Sequence, residues 1–157
     1  PAYKDNSPIV SATDRCNMVK LAIKPFDYMS LSTIETDRPS NTYTADTLAQ
    51  IYDSYKKIYF IIGADSLLYI QDWYHPEYIC SHCHLLCANR DNNSASVLID
   101  QKHFLADKYG AVIDFIDVPK LPYSSTDIRK KVAMGLSVKE DVGEEVEEYI
   151  KSRKLYV

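Results

Sequence analysis

No run of apolar residues in this 157-residue chain is long enough to span a bilayer, and none has the form of a secretory signal. Positive charge is also scarce. Lys and Arg number 18 against 22 Asp and Glu, giving a formal net charge of -4 and a pI of about 5.5. That balance excludes the dense cationic surface on which non-specific nucleic-acid binding depends. It still admits a small polyanion, which needs only a few local cations and a helix N-terminus. The cysteines are Cys16, Cys80, Cys83 and Cys87, too few for a small secreted disulfide scaffold, so a reducing cytoplasm is expected. Repeats, linkers and low-complexity stretches are missing too, which leaves residues 1–157 as a single domain.

What is present suits a soluble globular domain able to bury a core: 46% of residues are hydrophobic and 25% charged. Ser11-Ala12-Thr13-Asp14 opens a helix like a capping box with Asp in the Glu position; Met18, Leu21 and Ala22 follow at helical spacing until Pro25. Met29 to Thr36 alternates apolar and polar residues and predicts a half-exposed strand. Thr44 to Tyr55 predicts a helix, and Ile58 to Ile62 a strand covered on both faces that ends at Gly63. Ala64 to Ile70 reads as a short helix, Gln71 to His75 as an aromatic loop, and Pro76 as the start of another helix before a strand over His84 to Ala88. Helices are expected over Asn93 to Tyr109, Ser125 to Met134 and Val142 to Ser152, with a strand over Ala111 to Asp117. Gly110 and Gly135 stop the first two of those helices. Strands alternating with helices define an α/β class with a doubly wound, mainly parallel sheet.

The segment most suggestive of chemistry is Leu121-Pro122-Tyr123-Ser124-Ser125-Thr126-Asp127-Ile128-Arg129. It sets hydroxyls, free backbone N–H groups and a guanidinium at the first turn of a helix, where the dipole also favours negative charge. Phosphate oxygens suit such a place; an ordinary Ser/Thr N-cap with a surface arginine is the plain alternative. Trp73, the one tryptophan, lies in a loop beyond a buried strand, where open α/β sheets bind ligands. Its indole can stack on a flat cationic ring or simply fill core. Asp65 follows Gly63 at a strand end and can accept from a ligand hydroxyl or cap the next helix. Arg90 ends another strand, as a ligand-facing cation or a surface one. Cys80-Ser81-His82-Cys83-His84 has one CxxC spacing but no second pair, and it crosses from helix to strand, so no metal site is expected there. The three cysteines read as small buried apolar residues.

Several of these segments, in order, resemble the bacterial-type nicotinate-nucleotide adenylyltransferase family of the nucleotidyltransferase superfamily. Ser124-Ser125-Thr126-Asp127-Ile128-Arg129 resembles the superfamily's C-terminal triphosphate-binding signature. Arg15-Cys16-Asn17-Met18 with Ala22 resembles the nicotinate-nucleotide branch's arginine–methionine helix, and Thr42-Tyr43-Thr44-Ala45-Asp46-Thr47-Leu48 its threonine–tyrosine loop and helix. Gly63-Ala64-Asp65-Ser66-Leu67 followed by Trp73, and the ending from Val146-Glu147-Glu148-Tyr149-Ile150 to Leu155-Tyr156, complete the resemblance over nearly the whole chain.

The resemblance implies a Rossmann-like fold and adenylyl transfer from ATP, with Mg²⁺, to nicotinic acid mononucleotide, giving deamido-NAD and pyrophosphate. It implies ATP contacts at Ser125, Thr126, Arg129 and Arg90, and mononucleotide contacts at Trp73, Thr44, Asp65, Tyr74 and Lys4. Thr44 and backbone amides near Trp73 and Tyr74 would hold the nicotinate carboxylate. The family's glycine-rich first strand and its His-x-Gly-His pattern find no match, so no catalytic residue is identified. Pro1-Ala2-Tyr3-Lys4 matches the family's Pro-x-His-Lys loop with Tyr3 in place of histidine, and Lys4 is left to neutralise the mononucleotide phosphate.

A sheet without that central strand would carry unpaired edges, so a natural protein longer at its N-terminus is expected, and the chain without that segment is open to being inactive. Two other readings stand beside this one, pantetheine-phosphate adenylyltransferase and a non-catalytic nucleotide-binding module. The oligomeric state, self-association included, is left open.

Overall fold

The structure, a computed structural model, describes residues 10–39, 41–88, 95–119 and 123–157. The chain divides into two compact units, Arg38–Leu121 and the paired segments Pro1–Asp37 and Pro122–Val157.

The Arg38–Leu121 unit carries the sheet. Strands β1 (Tyr59–Gly63), β2 (His84–Ala88) and β3 (Val112–Ile116) run parallel in the order β1-β2-β3. Tyr59 lies level with His84, and His84 with Val112. Parallel neighbours require crossovers. Helices α3 (Ala64–Leu68) and α4 (Pro76–His82) connect β1 to β2, and α5 (Ala95–Tyr109) connects β2 to β3. Helix α2 (Thr44–Ile51) precedes β1 and ends in a 3₁₀ turn, Tyr52–Ser54, so the helix expected as far as Tyr55 tightens in its last turn. Side chains alternate along a strand. Ile62, Leu85, Cys87 and Ile113 therefore share one buried cluster with Leu67, Ile79, Leu98 and Leu105 from the helices. Leu85 is fully buried, and truncation to Ala would cost about 2–5 kcal/mol. The α/β class and parallel sheet expected from the sequence are present.

Two expectations need correcting. β1 is not covered on both faces: Tyr59 is 51% and Ile61 67% exposed, while Ile62 is buried. Among the described residues β1 pairs with β2 alone, and the face that carries Tyr59 and Ile61 lies uncovered. No strand forms over Met29 to Thr36. Alternation supplies no ladder partner, and the backbone closes local bonds instead, Asp37 N–H donating to Thr33 C=O at 2.9 Å.

The second unit is helical, with α1 (Ala12–Ile23), α6 (Ser125–Ala133), α7 (Lys139–Val142) and α8 (Glu144–Ser152). Ser11 caps α1 as expected, accepting from Asp14 N–H at 3.0 Å. The helix expected over Val142 to Ser152 breaks at Gly143, whose φ of +85° an L side chain rarely adopts, so α7 and α8 are separate. Val132, Val138, Val146 and Ile150 form the core of this unit.

Two carboxylates lie buried in it. Asp14 accepts from Tyr149 Oη at 2.8 Å and from Arg153 Nε at 3.2 Å, tying α1 to α8. The Ser11 hydroxyl is the largest influence holding its pKa below the usual range. Glu147 accepts from Ser137 Oγ at 2.6 Å and Val138 N–H at 2.8 Å, and pairs with Lys151 at 2.8 Å. With Lys151 first among these partners, its carboxyl is lowered to about 2.

Candidate functional site

At the carboxyl end of β1 the chain turns through Gly63 into α3. A Cβ built on Gly63 would lie 2.6 Å from Asp65 Oδ1, so the Asp65 carboxylate folds back over the glycine. Asp65 is exposed and makes no hydrogen bond or ion pair with a described residue. Burial, and then the Asp65 charge, push the Cys87 thiol of β2 up. Asp65 thus stands in the first turn of α3, just past the carboxyl end of β1, the end at which open α/β sheets bind ligands.

After α3 the chain makes a 3₁₀ turn, Ile70–Asp72, that delivers Trp73. Trp73 is half-buried; its ring meets Phe60 edge-on at 6.3 Å, and it packs against the core cluster. One side of the indole is thus anchored while the residue keeps part of its surface in solvent. Its N–H already donates to Ile70 C=O at 3.1 Å. Tyr74 N–H finds no acceptor among the described residues, so of these two amides it is the one open to a ligand.

Thr44 begins α2, and its hydroxyl makes no bond among the described residues. Tyr43, the N-cap, supplies no capping side chain, which leaves α2 with a positive, donor-rich end. The Tyr43 and Tyr74 rings pack at 4.5 Å and bring this helix end to the Trp73 loop. Tyr74 also meets His75 at 4.1 Å. His75 takes φ +49°, rare for a residue with a side chain, and its Nδ1 lies 2.8 Å from Glu77, an interaction that holds the Glu77 carboxyl low. The Tyr43–Tyr74 contact thus joins the residue before Thr44 to the residue after Trp73. Tyr43 was not singled out; its place between Thr42 and Thr44 was the available signal.

In the helical unit Ser124 is the N-cap of α6, its Oγ accepting from Asp127 N–H at 3.1 Å and donating to Asp127 Oδ2 at 2.7 Å. Capping therefore falls to Ser124, and Ser125 Oγ is left without a described partner. Arg129 reaches back to Thr126 Oγ1 at 3.5 Å, a long contact. Ser125, Thr126 and Arg129 are exposed on the first turn of α6; Ser125 and Arg129 line a cleft of about 460 Å³. Lys4 and Arg90 lie outside the described residues, as does Tyr3.

Cys80, Cys83 and Cys87 are buried. Burial pushes Cys80 up to about 11 and Cys83 up to about 12, and Cys83 donates to Ile79 C=O at 3.1 Å, so both are protonated thiols at neutral pH. His82 stacks on Tyr78 at 3.8 Å, and His84 pairs with Asp114 at 2.9 Å. Among the described residues no three His, Cys, Asp or Glu side chains converge to hold a metal, and no helix is long and apolar enough to cross a membrane.

A cytidylyltransferase-like family model matches residues 1–131. The chain is 35% identical to the probable nicotinate-nucleotide adenylyltransferase of Lachnoclostridium phytofermentans, over 100% of its own length and 80% of that protein's. It belongs to the nicotinate-nucleotide adenylyltransferase family. Identity to the family's probable member in Moorella thermoacetica is 36%, over 99% of this chain and 73% of that one. Two structures of the Plasmodium falciparum nicotinic acid mononucleotide adenylyltransferase share its fold at 18% identity. The one complexed with APC has a TM-score of 0.72, covering 96% of this chain and 78% of that one. The one complexed with NaAD has a TM-score of 0.73, covering 98% and 78%. The sheet is thus that of the Rossmann-like nucleotidyltransferase fold, and the family is one of enzymes.

Proposed function

We infer that this family member transfers the adenylyl group of ATP to nicotinic acid mononucleotide, with the mononucleotide held by the sheet unit and the ATP phosphates by α6. An oxygen of the mononucleotide phosphate attacks the α-phosphorus in line. The bond from that phosphorus to the bridging oxygen breaks, and pyrophosphate leaves with the electron pair. No covalent enzyme intermediate is required, so catalysis is positioning and charge neutralisation.

The observation that carries this reading is the Tyr43–Tyr74 contact, which unites the uncapped end of α2 with the Trp73 loop. Such a cradle offers the Thr44 hydroxyl, helix amides and Tyr74 N–H to a carboxylate, with an indole beside it for the attached ring. Asp65 accepts from the ribose. Ser125, Thr126 and Arg129 bind phosphate oxygens of ATP, and Lys4 and Arg90 are assigned by resemblance to the mononucleotide phosphate and the nucleotide. The chain shows no protein-built metal cage among its described residues, and Mg²⁺ binds largely through substrate phosphates in such enzymes, so it arrives as part of MgATP. Three buried free thiols fit a cytoplasmic setting.

Calorimetry with nicotinic acid mononucleotide and with phosphopantetheine tests the substrate. Saturable binding of the first and none of the second is expected. The reverse would move the chain to the pantetheine branch, and a flexible pantetheine arm has no use for Trp73 or the Thr44 cradle.

A further inference from the structure

Gly63 is usually the kind of residue explained by backbone freedom, but its φ of −75° and ψ of 156° are open to any amino acid. What is special at Gly63 is space. A Cβ there would stand 2.6 Å from Asp65 Oδ1 and 3.9 Å from its Cγ, the first distance well inside van der Waals contact. The volume that a side chain would fill is already occupied by the Asp65 carboxylate.

We propose that Gly63 is a positioning residue for the mononucleotide, keeping the Asp65 carboxylate folded over the end of β1. This rests on the reading above that Asp65 accepts from the ribose. Asp65 lies in the first turn of α3 and is exposed. Nothing described holds its carboxylate in place by hydrogen bonding. The rotamer it takes lies in the room that the missing Cβ leaves. The neighbouring strand lies in register, Gly63 level with Ala88 of β2. An added methyl group turns the carboxylate outward by side-chain rotation alone and leaves the backbone where it is. The consequence is a change in binding without a change in fold.

The test compares Gly63→Ala, Asp65→Ala and the double variant by calorimetry with nicotinic acid mononucleotide, with thermal unfolding alongside. Gly63→Ala should keep its Tm and raise the mononucleotide Kd about tenfold or more, as for loss of a hydrogen bond to a charged group. The double variant should bind no worse than Asp65→Ala, because the glycine acts only through the carboxylate. If Asp65→Ala weakens binding while Gly63→Ala binds normally, the positioning role is overturned and the ribose assignment stands. If Asp65→Ala itself binds normally, the ribose assignment falls and the proposal with it. A Gly63→Ala protein that unfolds would also overturn the proposal, since it would place Gly63 in packing rather than in clearance.

Discussion

Tyr43 and Tyr74 lie ring against ring, centroids 4.5 Å apart and planes 33° from parallel. One residue stands just before the first turn of α2 and the other follows Trp73, so the pair fastens two loops that sequence alone leaves separate. Removing the ring should loosen the cradle without emptying the core, since both tyrosines are partly in solvent. Tyr43→Ala is expected to cost about 0.5–1.5 kcal/mol of mononucleotide affinity. Tyr43→Phe should bind like the parent, because the ring and not the hydroxyl makes the contact. Calorimetry on both variants checks this, and equal losses in the two would show that the hydroxyl matters instead.

The first turn of α6 should separate into structural and ligand-binding hydroxyls. Ser124 caps the helix, so Ser124→Ala should lower unfolding free energy by about 1 kcal/mol. Ser125 has no described partner and Arg129 only the 3.5 Å contact, so Ser125→Ala and Arg129→Ala should leave stability nearly unchanged. Arg129→Ala should instead cost about 1.5–3 kcal/mol of ATP affinity. Denaturant unfolding and ATP calorimetry on the three variants check the division. A Ser125→Ala protein less stable than Ser124→Ala would reverse it.

How far these features could be read in advance depends on how local their causes are. Caps, helix stops and the Trp73 loop are written in neighbouring residues, and Ser11, Gly110 and Pro76 stand where they were expected. The face that β1 buries is decided by which layers reach it, so Ile58 to Ile62 read as a two-sided strand when Ile61 is exposed. Met29 to Thr36 has a strand's alternation, but a strand also needs a partner. The Tyr43–Tyr74 contact joins residues distant in sequence, and the clearance at Gly63 depends on a rotamer. Neither leaves a trace in periodicity.

Glu147 ties the loop before α7 to α8 through a carboxylate lowered to about 2 from an ordinary 4.5. A lowered carboxyl binds its proton more weakly in the folded state. Its contribution is therefore complete above about pH 4.5 and is lost as pH falls toward about 2. Urea unfolding across that window should show the parent losing stability more steeply than Glu147→Gln, which should already be weaker at neutral pH. Parallel pH curves for the two proteins would show that Glu147 does not carry this dependence.

A pyridine ring of nicotinic acid mononucleotide received by Trp73 would be reported without ambiguity by indole fluorescence, because the chain has one tryptophan. The half-buried indole, anchored edge-on by Phe60 at 6.3 Å, should be quenched by a stacked cationic ring. Replacing Trp73 by Ala should cost roughly 1–3 kcal/mol of mononucleotide affinity and leave ATP affinity alone. Trp73→Phe, which keeps a ring against the core, guards against loss of fold in the Ala variant. The decisive measurement is titration of the parent protein with nicotinic acid mononucleotide while following indole emission. Saturable quenching, with a midpoint equal to the calorimetric Kd, is the predicted result; emission that stays constant while calorimetry shows the site filling would contradict it.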